Sequence, residues 1–249
     1  MPKFFVSNKQ IKNNTNIEII GTDVNHIKNV LRKNISDKIV ICDKDLGQDY
    51  LCEIINIGEN IQCKIIDKLE ESVESNIFVS IFQGMPKADK MELIIQKSVE
   101  LGVYDITPVE MKRCVVKIKE NDRNKKIERW QKISEVAAKQ SGRNYVPVIN
   151  DILNVNQICE EFENYDIVLV AYENEKENTL KEQLKILKEK EVDNLKIAVV
   201  IGPEGGIDEK EINVFKENGA KIITLGKRIL RTETVALNVL SNIMYELEN

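Results

Sequence analysis

From residue 77 to the end of the chain, short runs of β-branched residues alternate with helical periodicities, which restricts the segment to a mostly parallel sheet covered by helices. Strands read at "IFVSIFQ", "DIVLVAY", "KIAVVI" and "KIITLG". The helix after the first strand is signalled twice, by the capping-box spacing of Asp89 and Glu92 and by Gly102 where a left-handed C-terminal residue belongs. Between them Met91, Ile94, Ile95, Ser98 and Val99 form a stripe for packing on a sheet. Further helices are expected at about 178–191, from Asp208, where Glu211 completes a second capping box, and from Thr232. The Lys/Glu alternation of 173–191 reads as a solvated face with i,i+4 pairs.

Residues 1–70 carry a different pattern, short strands at "FFV", "IEII", "KIVICD", "DYLCEIINI" and "IQCKIID", the last two joined by a Gly58-Glu59-Asn60 hairpin turn. One helix interrupts them at "VNHIKNVLR". Strict alternation places Tyr50, Cys52, Ile54 and Asn56 on one face and Leu51, Glu53, Ile55 and Ile57 on the other, a mixed pattern suited to a small barrel. The acidic "LEESVESN", 69–76, reads as a linker. No apolar run approaches the roughly 20 residues of a membrane span, and the N-terminus lacks the apolar core of a secretory signal, so a cytoplasmic protein is expected. Cys42, Cys52, Cys63, Cys114 and Cys159 form no CxxC and the only histidine is His26; this excludes the usual zinc spacings and a disulfide framework, and the thiols read as buried hydrophobes.

The segment "VVIGPEGGIDEKE" empties a strand into a glycine turn that opens a helix. A P-loop needs a Lys and a hydroxyl that this turn does not supply, and a Rossmann fingerprint needs GxGxxG, which occurs nowhere in the chain. That absence also argues against a nicotinamide-dependent reductase. Pro203 stiffens the turn, and the amides of Gly202, Glu204, Gly205 and Gly206 are available to an adenine, a ribose or a phosphate. A tight connection with no ligand is the alternative for this turn alone. A second loop, "TLGKRILRTET", also leaves a strand at a glycine and sets Lys227, Arg228 and Arg231 before a helix opening with Thr232 and Glu233. Read as adjacent parallel strands, the two put both loops at the same C-terminal sheet edge, where open α/β sheets bind ligands.

Although the net charge is −5, residues 112–132 hold nine Lys/Arg against three Asp/Glu, a footprint expected of phosphate-backbone binding or of a solvated helix face. Trp130 follows helical spacing with Ile127, Ser134 and Ala137 and reads as core. That helix stops at Gly142, and Arg143 stands free just beyond it.

Taken in order, "HIKNVLR", "QGMPKADKMELIIQKSVELGV", "ITPV", "ERWQKI", "AAKQSGR", "VP", "IGPEGG" and "LGKRILRTET" resemble the RsmE family, SPOUT-class methyltransferases acting on N3 of one uridine in small-subunit ribosomal RNA. Lys3, where an arginine is usual, and Ser36, where a glycine is usual, are small departures. The resemblance implies an α/β chain, with a PUA-like RNA-binding barrel at 1–70 and a SPOUT domain at 76–249 whose C-terminal segment is threaded into a deep trefoil knot, a topology that pattern alone does not suggest. It implies S-adenosylmethionine as cofactor, held by Ile201, Gly202, Glu204, Gly205, Leu225, Gly226, Ile229, Leu230 and Thr234, with Ala171 and Tyr172 as wall. RNA contacts are expected from Lys3, His26, Arg32, Arg113, Lys117, Gln140 and Arg228. Arg231 and Arg143 are candidates for holding the uridine anion or its phosphate, and Glu100 and Glu233 for taking the N3 proton. No metal is expected. A homodimer acting on RNA of the small subunit is implied, with a non-catalytic RNA-binding assembly factor as the alternative.

Overall fold

The computed structural model describes residues 1–70, 72–190 and 193–248. Glu71 of the expected linker and Glu191 at the end of the expected 178–191 helix lie outside them. The chain divides into two units, residues 1–74 with 138–146, and residues 75–137 with 147–249.

The first unit is a six-stranded sheet of order β1-β4-β5-β6-β3-β2, from β1 (Lys3–Val6), β2 (Ile11–Lys12), β3 (Asn16–Ile19), β4 (Lys38–Asp43), β5 (Gln48–Ile57) and β6 (Ile61–Leu69). Only β1 and β4 pair parallel. The expected helix is a single turn, α1 (Thr22–Asn25), running into a π-helical turn at His26–Val30. Phe4, Ile17, Ile19, Ile27, Ile39, Ile41, Cys52, Ile54, Ile61 and Cys63 fill the core. Strict alternation fails in β5: the register slips between Ile54 and Asn56, so Asn56 is exposed and Ile57 packs on the core instead. The linker reading is also corrected near its end, because Val73 N–H donates to Asn144 Oδ1 at 3.3 Å and the Glu74 carboxylate is held by Arg143, Asn144 and Tyr145.

The second unit is a seven-stranded, wholly parallel sheet. Its strands are β7 (Phe78–Gly84), β8 (Asp105–Glu110), β9 (Val148–Ile149), β10 (Leu153–Asn154), β11 (Ile167–Ala171), β12 (Lys196–Ile201) and β13 (Lys221–Ile223). The order is β10-β8-β7-β12-β11-β13, with β9 also on β8. Helices α2 (Lys90–Glu100), α3 (Glu120–Ser141, whose last turn belongs to the first unit), α4 (Val155–Glu160), α5 (Leu180–Lys188), α6 (Glu209–Glu217) and α7 (Thr232–Leu247) connect them. The stripe read on α2 is buried throughout, and Trp130, Ser134 and Ala137 of α3 are buried with it. Asp208 and Glu211 cap α6 as their spacing predicts. Asp89 and Glu92 do not cap α2: Asp89 makes no side-chain cap bond, and Glu92 is drawn to Arg129 at 2.6 Å. The two glycine-ended strands, β12 and β13, are not neighbours; β11 lies between them, parallel to both. Both loops still leave the same sheet edge, and the end of β11, Ala171 and Tyr172, stands between them.

No described helix is long and apolar enough to cross a membrane. Cys42, Cys52, Cys63 and Cys114 are buried and Cys159 is half-buried; burial pushes the Cys52 and Cys63 thiols up to about 12.

Candidate active site at the C-terminal sheet edge

The ends of β11, β12 and β13 enclose a cavity of about 470 Å³, within the span of roughly 300–1,000 Å³ usual for small-molecule sites. Its walls are the loop from Ile201 to Gly206, the loop from Thr224 to Thr232, and Ala171–Glu173, with Lys90 and Val235 at its border. Gly84 at the end of β7 lets the first loop settle, since a Cβ there would stand 2.7 Å from Pro203 Cδ. Gly226 makes the second loop possible, with φ at +110° and open space where a Cβ would point. Its N–H donates to Thr224 Oγ1 at 3.3 Å. The N–H groups of Leu225 and of 227–230 donate to no protein acceptor among the described residues, so they are free to recognise a ligand through backbone.

The two loops are tied together from below. Buried Gln83 donates through Nε2 to Gly84 O and to Thr232 Oγ1, both at 2.9 Å, and Thr232 Oγ1 donates to Gly202 O at 2.8 Å. The Glu204 carboxylate accepts Lys87 N–H at 3.0 Å, and Lys90 Nζ forms ion pairs with Glu204 Oε1 at 3.1 Å and Glu233 Oε2 at 3.2 Å. Glu233 Oε2 is buried, and the Lys90 ammonium is the cation that faces it. Burial pushes the Glu204 carboxyl up, but hydrogen bonds from its own N–H, Lys87 N–H and Lys90 outweigh it and hold it below the usual carboxylate range. The same two glutamates, Glu204 first, raise Lys90 above the ordinary lysine value.

Of the residues singled out by sequence, Ala171, Tyr172, Ile201, Gly202, Glu204, Gly205, Leu225, Gly226, Ile229 and Leu230 line this cavity together with Arg228 and Arg231. Arg231 is the N-cap residue of α7 and is exposed. Glu233 and Thr234, in the first turn of α7, are not part of the wall; Glu233 is half-buried and Thr234 exposed. Glu100 stands at the far end of α2, ten residues or about 15 Å of helix from Lys90, and pairs with Lys97 at 2.9 Å. Arg143 is not free: it is buried in the first unit against Glu74. Sequence reasoning passed over Gln83, Lys90 and Glu173 and read Thr232 only as a helix start; its place directly after Arg231 was the one hint of a role in the site.

The expected RNA contacts divide between the units. In the first, His26 and Arg32 are exposed, His26 edge-on to Phe4, and Gln140 is exposed near the end of α3. Lys3 is instead half-buried with its side chain turned inward, its Nζ 2.6 Å from Asp49 and 2.9 Å from Gly142 O, an internal tie unavailable to a phosphate in this arrangement. In the second, Lys117 is exposed, while Arg113 lies on the first glycine loop, bonded to Gly205 O at 3.2 Å and 3.6 Å from Asp208. No cluster of potential metal ligands occurs among the described residues.

Residues 73–244 match the model of an RNA methyltransferase domain, and residues 19–66 that of an RNA methyltransferase PUA domain. The ribosomal RNA small subunit methyltransferase E of Bacillus subtilis (strain 168) is 36% identical over all of this chain and 98% of its own. That of Mesomycoplasma hyopneumoniae (strain 232) is 35% identical over 97% of this chain and 98% of its own. Among solved structures, a ribosomal RNA small subunit methyltransferase E from Neisseria gonorrhoeae bound to S-adenosyl methionine superposes with a TM-score of 0.85 at 29% identity, covering 98% of this chain and 97% of that one.

Proposed function

The chain belongs to the ribosomal RNA small subunit methyltransferase E family, and from that premise we propose that it uses S-adenosylmethionine to methylate N3 of a uridine in 16S ribosomal RNA. The observation that carries this reading is the cavity that the two glycine loops form at the C-terminal sheet edge, with Arg231 on its rim and Glu233 two residues further on, in the first turn of α7. Bound there, S-adenosylmethionine supplies a methyl group already activated by its sulfonium.

The residues in hand fit such a ligand. We infer that Ile201, Gly202, Leu225, Gly226, Ile229 and Leu230 hold it through main chain, with Ala171 and Tyr172 as the wall between the two loops. The remaining task falls to side chains, because uridine N3 is a poor nucleophile while it carries its proton. Arg231 is assigned to hold the imide anion through O2 or O4, and Glu233, in the first turn of α7, to accept the N3 proton. Arg228 and Lys227 on the same rim would meet the phosphates flanking the target base. Glu100 and Arg143 are left out of the chemistry, Glu100 because it stands at the far end of α2 paired with Lys97, and Arg143 because Glu74 holds it within the first unit. We further infer a homodimer acting in the cytoplasm on RNA in the assembled small subunit, with the two loops and α7 forming the knot.

The test is calorimetric titration with S-adenosylmethionine, then tritiated methyl transfer to small subunits isolated without this methyl group. Binding and label in one N3-methyluridine are expected. A folded, dimeric protein that binds RNA but not the donor would instead be a non-catalytic assembly factor. In the same assays Arg231→Ala is expected to lower turnover by about tenfold or more while donor affinity changes by less than about threefold.

A further inference from the structure

Lys90 is placed against local preference. It is the first residue of α2, where the helix dipole disfavours a cation, yet its ammonium is held by two carboxylates from other parts of the chain. One, Glu204, belongs to the loop that lines the cavity; the other, Glu233, to the first turn of α7. The neighbouring pair makes the same connection directly, Thr232 Oγ1 to Gly202 O at 2.8 Å. Consecutive residues of α7, 232 and 233, are thus fastened to positions 202 and 204 of one loop, once by a hydroxyl and once through Lys90. Arg231, immediately before them, has no such fastening of its side chain among the described residues.

We propose that Lys90 is a positioning residue for the methyl transfer, pinning the first turn of α7 to the 201–206 loop so that Arg231 and Glu233 keep a fixed register against the donor-binding wall. The proposal rests on the methyl-transfer reading above for its kinetic consequence, but the pin itself is a property of the protein alone. Without the ammonium, Glu204 and Glu233 are two like charges that had been drawn to one point, and they repel. Glu233 then swings away from the loop and loosens the first turn, while the bonds of Thr232 to Gln83 and Gly202 keep the fold closed beneath it. Lys90 itself borders the cavity, but its ammonium is engaged by Glu204 and Glu233, so its loss acts first on the register of the two segments it joins.

The experiment compares wild type with Lys90→Met, Lys90→Arg, Glu233→Gln and the Lys90→Met/Glu233→Gln double variant in three readouts: hydrogen exchange, donor affinity by calorimetry, and turnover. Without any ligand, exchange of the amides in the first two turns of α7 should quicken in Lys90→Met and return toward wild type in Lys90→Arg, with the rest of the second unit unchanged. Donor affinity should stay within about threefold while turnover falls by at least about tenfold, a displacement near 1 Å being enough to cost about a hundredfold. Because Lys90 acts through Glu233, the double variant should be no slower than the slower single one. Unchanged exchange at the start of α7 in Lys90→Met overturns the pin whatever the substrate proves to be. Wild-type methyl transfer with a Lys90→Met turnover within about twofold, or losses that multiply in the double variant, overturns its role in positioning. Failure of the wild type to bind donor removes the methyl-transfer reading and leaves the exchange result to judge the pin.

Discussion

Glu74 Oε2 and Arg143 Nη2 meet at 2.5 Å, and the same glutamate accepts the N–H groups of Asn144 at 2.7 Å and Tyr145 at 3.0 Å. Glu74 is the last residue of the first unit's main segment, and Arg143 follows the left-handed Gly142 that ends α3, so the contact closes that unit where the chain leaves it and where the helix end enters it. Arg143→Ala should therefore act on stability. Breaking a largely buried pair costs about 3–5 kcal/mol; the partial exposure of Glu74 and its two remaining N–H donors reduce this to about 2 kcal/mol. Thermal unfolding measures it, and Arg143→Lys should recover only part, since an ammonium lacks the planar fork. An unchanged melting temperature with lost turnover would return Arg143 to the chemistry.

Gly202→Ala probes the cavity itself. A Cβ there would stand 2.8 Å from Ile207 Cγ1 and 3.2 Å from the backbone of Gly206 and Ile207, so the 201–206 loop must open by a few tenths of an ångström or more. Because that loop also receives Thr232 Oγ1, the strain spreads to α7. Donor affinity should fall by about tenfold or more while the melting of the first unit is unaffected, overpacking of a tight site costing about 1–3 kcal/mol. Wild-type affinity would show that the loop yields freely and is no rigid cradle.

What the sequence made legible follows from range. The α2 stripe, the α6 cap and the alternation of strands and helices depend on residues within a few turns of each other, and they form as read. The α2 cap depends on Glu92 being unclaimed, and Arg129 claims it from 37 positions away. Arg143 looked free because Glu74 lies 69 residues earlier. Likewise the place of β11 between β12 and β13 is set by pairing across the sheet, which no local period encodes. At the site, the glycine loops were visible as motifs, whereas Gln83 and Lys90, which join them, are ordinary residue types made informative only by their contacts.

Asp105, at the start of β8, gives a pH dependence. Burial pushes its carboxyl up to about 6 against a hydrogen bond with Ser80, and its Oδ1 is buried with no partner. The folded state thus holds this proton more tightly than the unfolded chain does, so the contribution of Asp105 to stability falls as pH rises from about 4 to about 6 and the full penalty is present at neutral pH. Asp105→Asn should raise stability at pH 7.5 by about 1–3 kcal/mol and change it little at pH 4. Equal effects of the substitution at both pH values, followed by denaturant unfolding, would show that ionisation is not its cause.

The basic segment of 112–132 carries the last prediction, which rests on the ribosomal RNA reading. Four of its nine cations are already paired: Lys112 and Arg113 with Asp208, Arg123 with Glu110 and Glu120, and Arg129 with Glu92. Lys117, Lys119, Lys125, Lys126 and Lys132 are exposed and have no ion-pair partner among the described residues, so they are the ones able to release counterions from a phosphate backbone. Lys125→Ala/Lys126→Ala should weaken RNA binding evenly across sequences and lower the slope of log affinity against log salt by about 1.4–1.8, since each phosphate left without its cation takes about 0.7–0.9 from that slope. Arg129→Ala, though it removes the same charge, should change that slope by much less than one lysine, because its guanidinium already answers to Glu92 at 2.6 Å. Fluorescence anisotropy across a salt series separates the two, and equal slope changes for the arginine and for one lysine would mean that the ion pairs of this helix open when RNA binds.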